Sequence, residues 1–152
     1  MKGHSPFKNP SSPSPLKERG IKGVRLKMIE IYVGTTQNLS TNLGGWGVVL
    51  IDEEGHRQKC NGSEQGATPN QMALRAAIEG LSRIEQGCEA KIFSNNQYLV
   101  LGIEDSRQRR ANRDLWNELD ELLGRRHVHA EYMAKHKWLG EAQMLAKDAA
   151  GG

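Results

Sequence analysis

The sequence predicts a mixed α/β fold: a five-stranded sheet, three strands antiparallel and two parallel, flanked by helices. Three observations predict it. Apolar residues alternate with polar ones in short runs, first at Ile29, Ile31 and Val33. Elsewhere they recur at helical spacing, most clearly at Leu74, Ala77, Ile78, Leu81 and Ile84. Glycines and acidic turns separate these stretches into the order β-β-β-α-β-α-α-β-α. A meander supplies the three antiparallel strands, and right-handed crossovers add the two parallel ones.

The regular pattern begins at Met28. Glu30 and Tyr32 interleave the first apolar run, which marks a half-buried strand. Gly44-Gly45-Trp46-Gly47 is expected to mark a hairpin, with Gly45 to Ile51 as the second strand. Asp52-Glu53-Glu54-Gly55 supplies the turn into a third strand near 56–65. Pro69 suits the first turn of a helix, and Gly87 is expected to stop it. Lys91 to Ser94 forms the fourth strand, and Gln97 to Ile103 a short helix. Leu115, Trp116, Leu119, Leu122 and Leu123 pattern a second helix ending at Gly124. Val128 to Met133 is the fifth strand, and Leu139, Ala142, Leu145 and Ala146 stripe the last helix.

The 152 residues suffice for one domain with a real core, expected over 28–152 behind a tail at 1–27. No apolar run approaches the ~20 residues of a membrane span, and no signal-peptide core is visible, so a cytoplasmic protein is expected. Cys60 and Cys88 lack CxxC spacing and read as reduced thiols. The net charge of +3 is uneven: residues 1–27 hold seven basic residues against Glu18, and the remainder fourteen basic against seventeen acidic. This Lys/Ser/Pro-rich tail is expected to be disordered. It reads as a nucleic-acid arm, a targeting peptide, a phosphorylatable segment around Ser5-Pro6 and Ser14-Pro15, or a plain solvated extension. An acidic body speaks against non-specific duplex binding.

Four stretches carry a family likeness: Ile29-Glu30-Ile31-Tyr32-Val33-Gly34, Thr68-Pro69-Asn70-Gln71-Met72-Ala73-Leu74, Ser94-Asn95-Asn96-Gln97-Tyr98, and His136 ahead of the alanine-rich final helix. With the element order, they make residues 28–150 resemble a type 1 ribonuclease H. The resemblance implies the RNase H fold and, in the family, cleavage of the RNA strand of an RNA–DNA hybrid by two Mg²⁺ ions held on four carboxylates. It also implies where those acids should stand, and here the positions hold Gly34, Ala73, Asn95 and Gln143. Glycine and alanine offer no ligand oxygen, and the two amides bring no charge to offset two adjacent dications. Glu30, Glu79, Glu141 and Asp148 are the nearby acids, and their spacing places none of them at a vacant position.

The expectation is therefore a catalytically inactive domain without the Mg²⁺ pair or any other cofactor. Four fewer carboxylates should relieve repulsion, so Asp restored at 34 and 95 is expected to cost stability. His136 matches the family's loop histidine, though a solvent-exposed histidine reads equally well. His127 and His129 share one strand face and are expected to line a surface rather than bind metal. Thr68, Asn70, Gln71 and Gln97 fall at or beside positions that touch the hybrid in the family, and they also suit caps and turns. Arg107, Arg109, Arg110 and Arg113 occupy the region where some members carry a basic handle; they could meet phosphates or be balanced by Glu104, Asp105 and Asp114. The readings carried forward are an RNA- or hybrid-binding module, a protein-binding scaffold, and a hydrolase with a non-standard site.

Overall fold

The computed structural model describes residues 27–151. Apart from Lys27, the segment expected to be a tail lies outside the described residues. The elements run β1 (Met28–Asn38), β2 (Leu43–Ile51), β3 (Arg57–Gln65), α1 (Pro69–Leu81), β4 (Glu89–Ser94), α2 (Gln97–Glu104), a 3-10 turn (Ser106–Gln108), α3 (Arg113–Leu123), β5 (His127–Tyr132) and α4 (Lys137–Ala149). They form one five-stranded sheet in the order β3-β2-β1-β4-β5. β1–β2 and β2–β3 are antiparallel; β1–β4 and β4–β5 are parallel. The expected fold class and element order are both present.

Strand alternation divides the apolar residues between two faces. Ile29, Ile31, Val33, Val48, Leu50 and Ile92 join α1 and α3 in the larger core, with Met72, Leu74, Leu81, Trp116 and Leu119. Tyr32, Val49 and Phe93 point the other way, against Leu139 and Ala142 of α4. Each fully buried large aliphatic contributes roughly 1.5–3 kcal/mol. Ile29, Ile31, Leu50, Met72, Leu74 and Ile92 are all fully buried.

Two boundaries differ from expectation by more than two residues, and several others shift by one or two. Gly44 to Gly47 do not make the hairpin turn; they run inside β2. The turn sits at 39–42, where the Asn38 side chain accepts from the Ser40 and Thr41 amides at 2.9 and 3.2 Å. Asn42 there takes a left-handed conformation, φ 59°, which Asn tolerates better than most residues. Helix α1 stops at Leu81 rather than at Gly87. The Ser82 hydroxyl donates to the Glu79 carbonyl at 2.9 Å. Ile84 keeps helical spacing but stays buried outside the helix.

The β2–β3 turn forms as expected, with Gly55 at φ 89°. Its organiser is the buried Asp52 carboxylate, which accepts from the Glu54 amide, the His56 amide and His56 Nδ1 at 2.9, 2.8 and 2.8 Å. At the opposite sheet edge, α2 packs beside β5. There Glu104 Oε2 accepts from the Ala130 amide at 2.7 Å.

Candidate functional site

Register brings two of the vacant positions to the same end of the sheet. Val33 pairs with Ser94 in the parallel β1–β4 ladder, and Gly34 and Asn95 each follow by one residue. Asn95 is exposed in the step between β4 and α2, while Gly34 is buried under α4. A Cβ built on Gly34 would lie 2.5 Å from the Ala142 carbonyl carbon, 2.7 Å from its oxygen, and closer still to the Gln143 amide nitrogen. No carbon atom sits that close to backbone without the helix moving. Gln143 is thus drawn to the same place, half-buried, with its main chain seated over Gly34.

The neighbouring glycines explain the close approach. Gly34 pairs with Gly47 across β1–β2. A Cβ on Gly47 would fall 2.7 Å from Leu145 Cβ and 2.9 Å from the Ala146 nitrogen; one on Gly45 would lie 3.1 Å from the Ala146 carbonyl carbon and from Ala150 Cβ. Three glycines on the sheet and Ala142 and Ala146 on α4 let backbone meet backbone. The glycine-rich stretch that resembles a turn in sequence is a seat for a helix.

The fourth position, Ala73, is fully buried in the larger core, on the α1 side of the sheet rather than the α4 side. Together the four positions offer two neutral amides and no carboxylate, a donor set that does not fit a pair of divalent ions. Nearby acids are otherwise engaged: Glu30 accepts from Tyr32 Oη at 3.0 Å, Glu79 pairs with Arg83 at 3.0 Å, and Glu141 pairs with Lys59. Among the described residues, the one grouping of His, Cys, Asp or Glu with metal-ligand spacing is Asp52, Glu54 and His56, in the β2–β3 turn. His127, His129 and His136 form no such group.

His136 has a structural explanation. Its Nδ1 accepts from the Trp138 amide at 3.1 Å and caps α4. Its ring stacks on Tyr32 at 5.0 Å between centroids, with Phe93 on Tyr32 at the same distance. Burial, and then the Glu30 carboxylate, push the Tyr32 hydroxyl well above its ordinary range. Burial likewise raises both free thiols, Cys60 and Cys88.

The polar residues around α1 make a connected ledge. Thr68 and Gln71 form a capping box, with the Gln71 amide donating to Thr68 Oγ1 at 3.2 Å and the Thr68 amide to Gln71 Oε1 at 2.9 Å. Asn96 Nδ2 donates to Asn70 Oδ1 at 3.0 Å, while Asn96 Oδ1 caps α2. Gln71 Nε2 reaches Asn112 Oδ1 at 3.4 Å, and Asn112 Nδ2 donates to Tyr98 Oη at 3.2 Å. That phenol donates to the Ala111 carbonyl at 2.5 Å and accepts from Trp116 Nε1 at 2.9 Å. Asn112 takes φ 64° and gives its side chain to this network instead of capping α3. Of the four polar candidates, only Gln97 stands exposed without a side-chain bond among the described residues.

The arginines divide in the same way. Arg107 holds Asp105 through two nitrogens at 3.1 and 3.2 Å, which keeps that carboxyl below its usual range. Arg109 lies 4.2 Å over the Trp116 ring, donates to the Gly102 carbonyl at 3.0 Å and pairs with Asp120 at 2.8 Å. Gly102 has no Cβ because one would run into the Trp116 ring. Arg110 and Arg113 are exposed and have no carboxylate partner among the described residues. Of the expected counter-acids only Asp105 serves; Glu104 is turned to β5, and Asp120 takes its place. The sequence marks Tyr98 and Trp116 only as motif and helix-stripe residues and does not reveal the bonds that join them to Asn112, although an Asn directly before a patterned helix is a visible sign of a helix start.

A five-stranded mixed sheet in this order, with its polar end where β1 and β4 stop, defines the ribonuclease H-like class. The chain belongs to the RNase H family, whose model matches residues 27–151. Proteins named Ribonuclease H from Erythrobacter litoralis and Syntrophus aciditrophicus are 32% and 33% identical to it; the alignments cover 82% of this chain and 97% and 82% of theirs. Among solved structures, the N-terminal RNase H domain of a Mycobacterium tuberculosis protein superposes with a TM-score of 0.66 at 18% identity, over 81% of this chain and 93% of that one. LC11-RNase H1, solved in complex with an RNA/DNA hybrid, superposes with a TM-score of 0.68 at 16% identity, covering 80% of this chain and 96% of its own.

Proposed function

We propose that this chain is a catalytically silent member of the RNase H family that binds RNA or an RNA–DNA hybrid without cutting it. The observation that carries silence is the seat of α4 on Gly34. The position lacks a carboxylate and also lacks the volume for any side chain, so the first metal ligand of the family is excluded sterically as well as chemically. No step of metal-assisted hydrolysis can be routed through Gly34, Ala73, Asn95 and Gln143. Binding is supported by the exposure of Gln97, Arg110 and Arg113, and by a structural neighbour, LC11-RNase H1, having been solved in complex with an RNA/DNA hybrid.

Purified protein incubated with labelled RNA–DNA hybrid in Mg²⁺ or Mn²⁺ is expected to leave the RNA intact. Robust cleavage abolished by EDTA overturns silence. Titration with hybrid at two salt concentrations is expected to show affinity falling steeply with salt, since phosphate contacts release counterions. Repeating it without residues 1–27 reports whether the tail or the 28–152 domain binds.

A second reading, a scaffold for a protein partner, is favoured by one observation. Thr68, Asn70, Gln71, Arg107 and Arg109 are all engaged within the fold, which leaves a small surface for nucleic acid. Salt-insensitive or absent hybrid binding selects this reading.

A further inference from the structure

Between the 3-10 turn and the start of α3 lies a half-enclosed cavity of about 270 Å³, lined by Ser106, Arg109, Arg110, Arg113, Trp116 and Asn117 with Ala111. Three of its walls are arginines and none is an acid. Its volume is below the ~300–1,000 Å³ of pockets that take drug-sized ligands, and its arginine lining suits a compact anion. The arginines differ in freedom. Arg109 is fixed by Asp120, the Gly102 carbonyl and the Trp116 ring. Arg110 and Arg113 are exposed, without a carboxylate partner among the described residues.

The linker holding them is braced. The bond from Tyr98 to the Ala111 carbonyl, and the Asn112 side chain between Gln71 and Tyr98, fix the backbone between Arg110 and Arg113. Little ordering is then lost when a ligand enters. Because Asn112 provides no side-chain cap, the first amides of the 11-residue α3 lack that competitor beside the cavity. Asp114 lies in the same helical turn but does not line the cavity.

We propose that this cavity binds the phosphate monoester at the end of a nucleic-acid strand. An internal phosphodiester carries a sugar on both sides and one negative charge. A terminal monoester enters a concave site end-on, carries about −1.5 to −2 charge and presents three acceptor oxygens to several donors. The proposal rests on the nucleic-acid reading above.

The test measures binding of the full chain to one short single-stranded RNA made with a 5′-hydroxyl or a 5′-monophosphate, at one fixed salt concentration. The phosphorylated strand is expected to bind about tenfold tighter or more, with inorganic phosphate competing the difference away. Joint replacement Arg110→Ala with Arg113→Ala is expected to erase the preference at unchanged melting temperature, since both side chains are exposed. Lys147→Ala, an exposed charge on α4, should retain it. Equal affinity for the two strands overturns the pocket but leaves nucleic-acid binding standing, as does a preference that survives the double replacement. No binding of either strand overturns both.

Discussion

Two regions of this protein engage their small and polar residues by different physical means. Where α4 crosses β1 and β2, Gly34, Gly45 and Gly47 meet Ala142 and Ala146 with no side-chain layer between them. On the ledge joining α1, the linker and α3, polar side chains remain but bond to each other. The first region is closed by volume, the second by hydrogen bonds. The difference teaches that a surface can be closed in two ways that respond differently to substitution. Volume exclusion resists any larger side chain, whereas an exposed member of a polar network tolerates exchange at modest cost.

The largest expected effect comes from placing the family's acid back in the closed region. Gly34→Asp forces a Cβ into the Ala142 and Gln143 backbone and should destabilise the fold by more than about 4 kcal/mol, read as a lowered urea midpoint. Asn95→Asp, exposed at the neighbouring strand end, should stay within about 0.5 kcal/mol. Repulsion between restored carboxylates predicts comparable costs at the two sites; the packing at Gly34 predicts a wide gap. Near-native stability of Gly34→Asp would break the comparison.

Trp116→Ala probes the ledge at its anchor. The ring is 2% exposed, bonded to Tyr98 and stacked by Arg109. Removing it should cost about 3–5 kcal/mol and release Arg109, visible as new mobility of its side chain by NMR.

Asp52 is a buried carboxylate that organises the β2–β3 turn. Burial raises its pKa, but the His56 ring and the His56 and Glu54 amides outweigh that and hold the carboxyl below its ordinary value. A depressed carboxyl stabilises the fold above its unfolded pKa of about 3.9 and loses that contribution as pH falls through the folded value. Wild type should therefore exceed Asp52→Asn in stability at neutral pH, and the gap should narrow below about pH 4 in acid titrations followed by circular dichroism.

The smallest effect separates capping from contact. Thr68→Ala removes one half of the capping box and should cost about 1 kcal/mol. Its hybrid affinity should be unchanged, because the hydroxyl is committed to the Gln71 amide. A loss of affinity without a loss of stability would move Thr68 from the frame to the binding surface.

Much of the fold was legible in the sequence because periodicity is a local property. The alternation at Ile29, Ile31 and Val33 and the stripe from Leu74 to Leu81 each reveal a buried face without knowledge of what covers it. The Gly44–Gly47 stretch could not be read this way. Glycine suits a turn and also suits a helix seated on a strand, and only the placement of Ala142 and Ala146, a hundred residues away, decides between them. The stop of α1 was misplaced for a similar reason: Ile84 keeps the apolar rhythm while its backbone has already left the helix. At the site, the four neutral residues were visible directly, but the steric closure over Gly34 was not. Nor could four arginines in seven residues show that Asp120, eleven positions beyond Arg109, would claim one of them.

The bond from Glu104 to Ala130 bears on how copies of this domain can meet. In β5 the odd-numbered amides face β4, as His127 and Met133 do toward Cys88 and Ser94, so those of 128, 130 and 132 turn outward. The middle one is already taken by the Glu104 carboxylate. A strand arriving at β5 must first evict a charged side chain, which then needs water or a new partner. The sheet is therefore plugged on one margin, and continuous edge-to-edge growth, which requires an accepting margin on both sides of every copy, has no ready path.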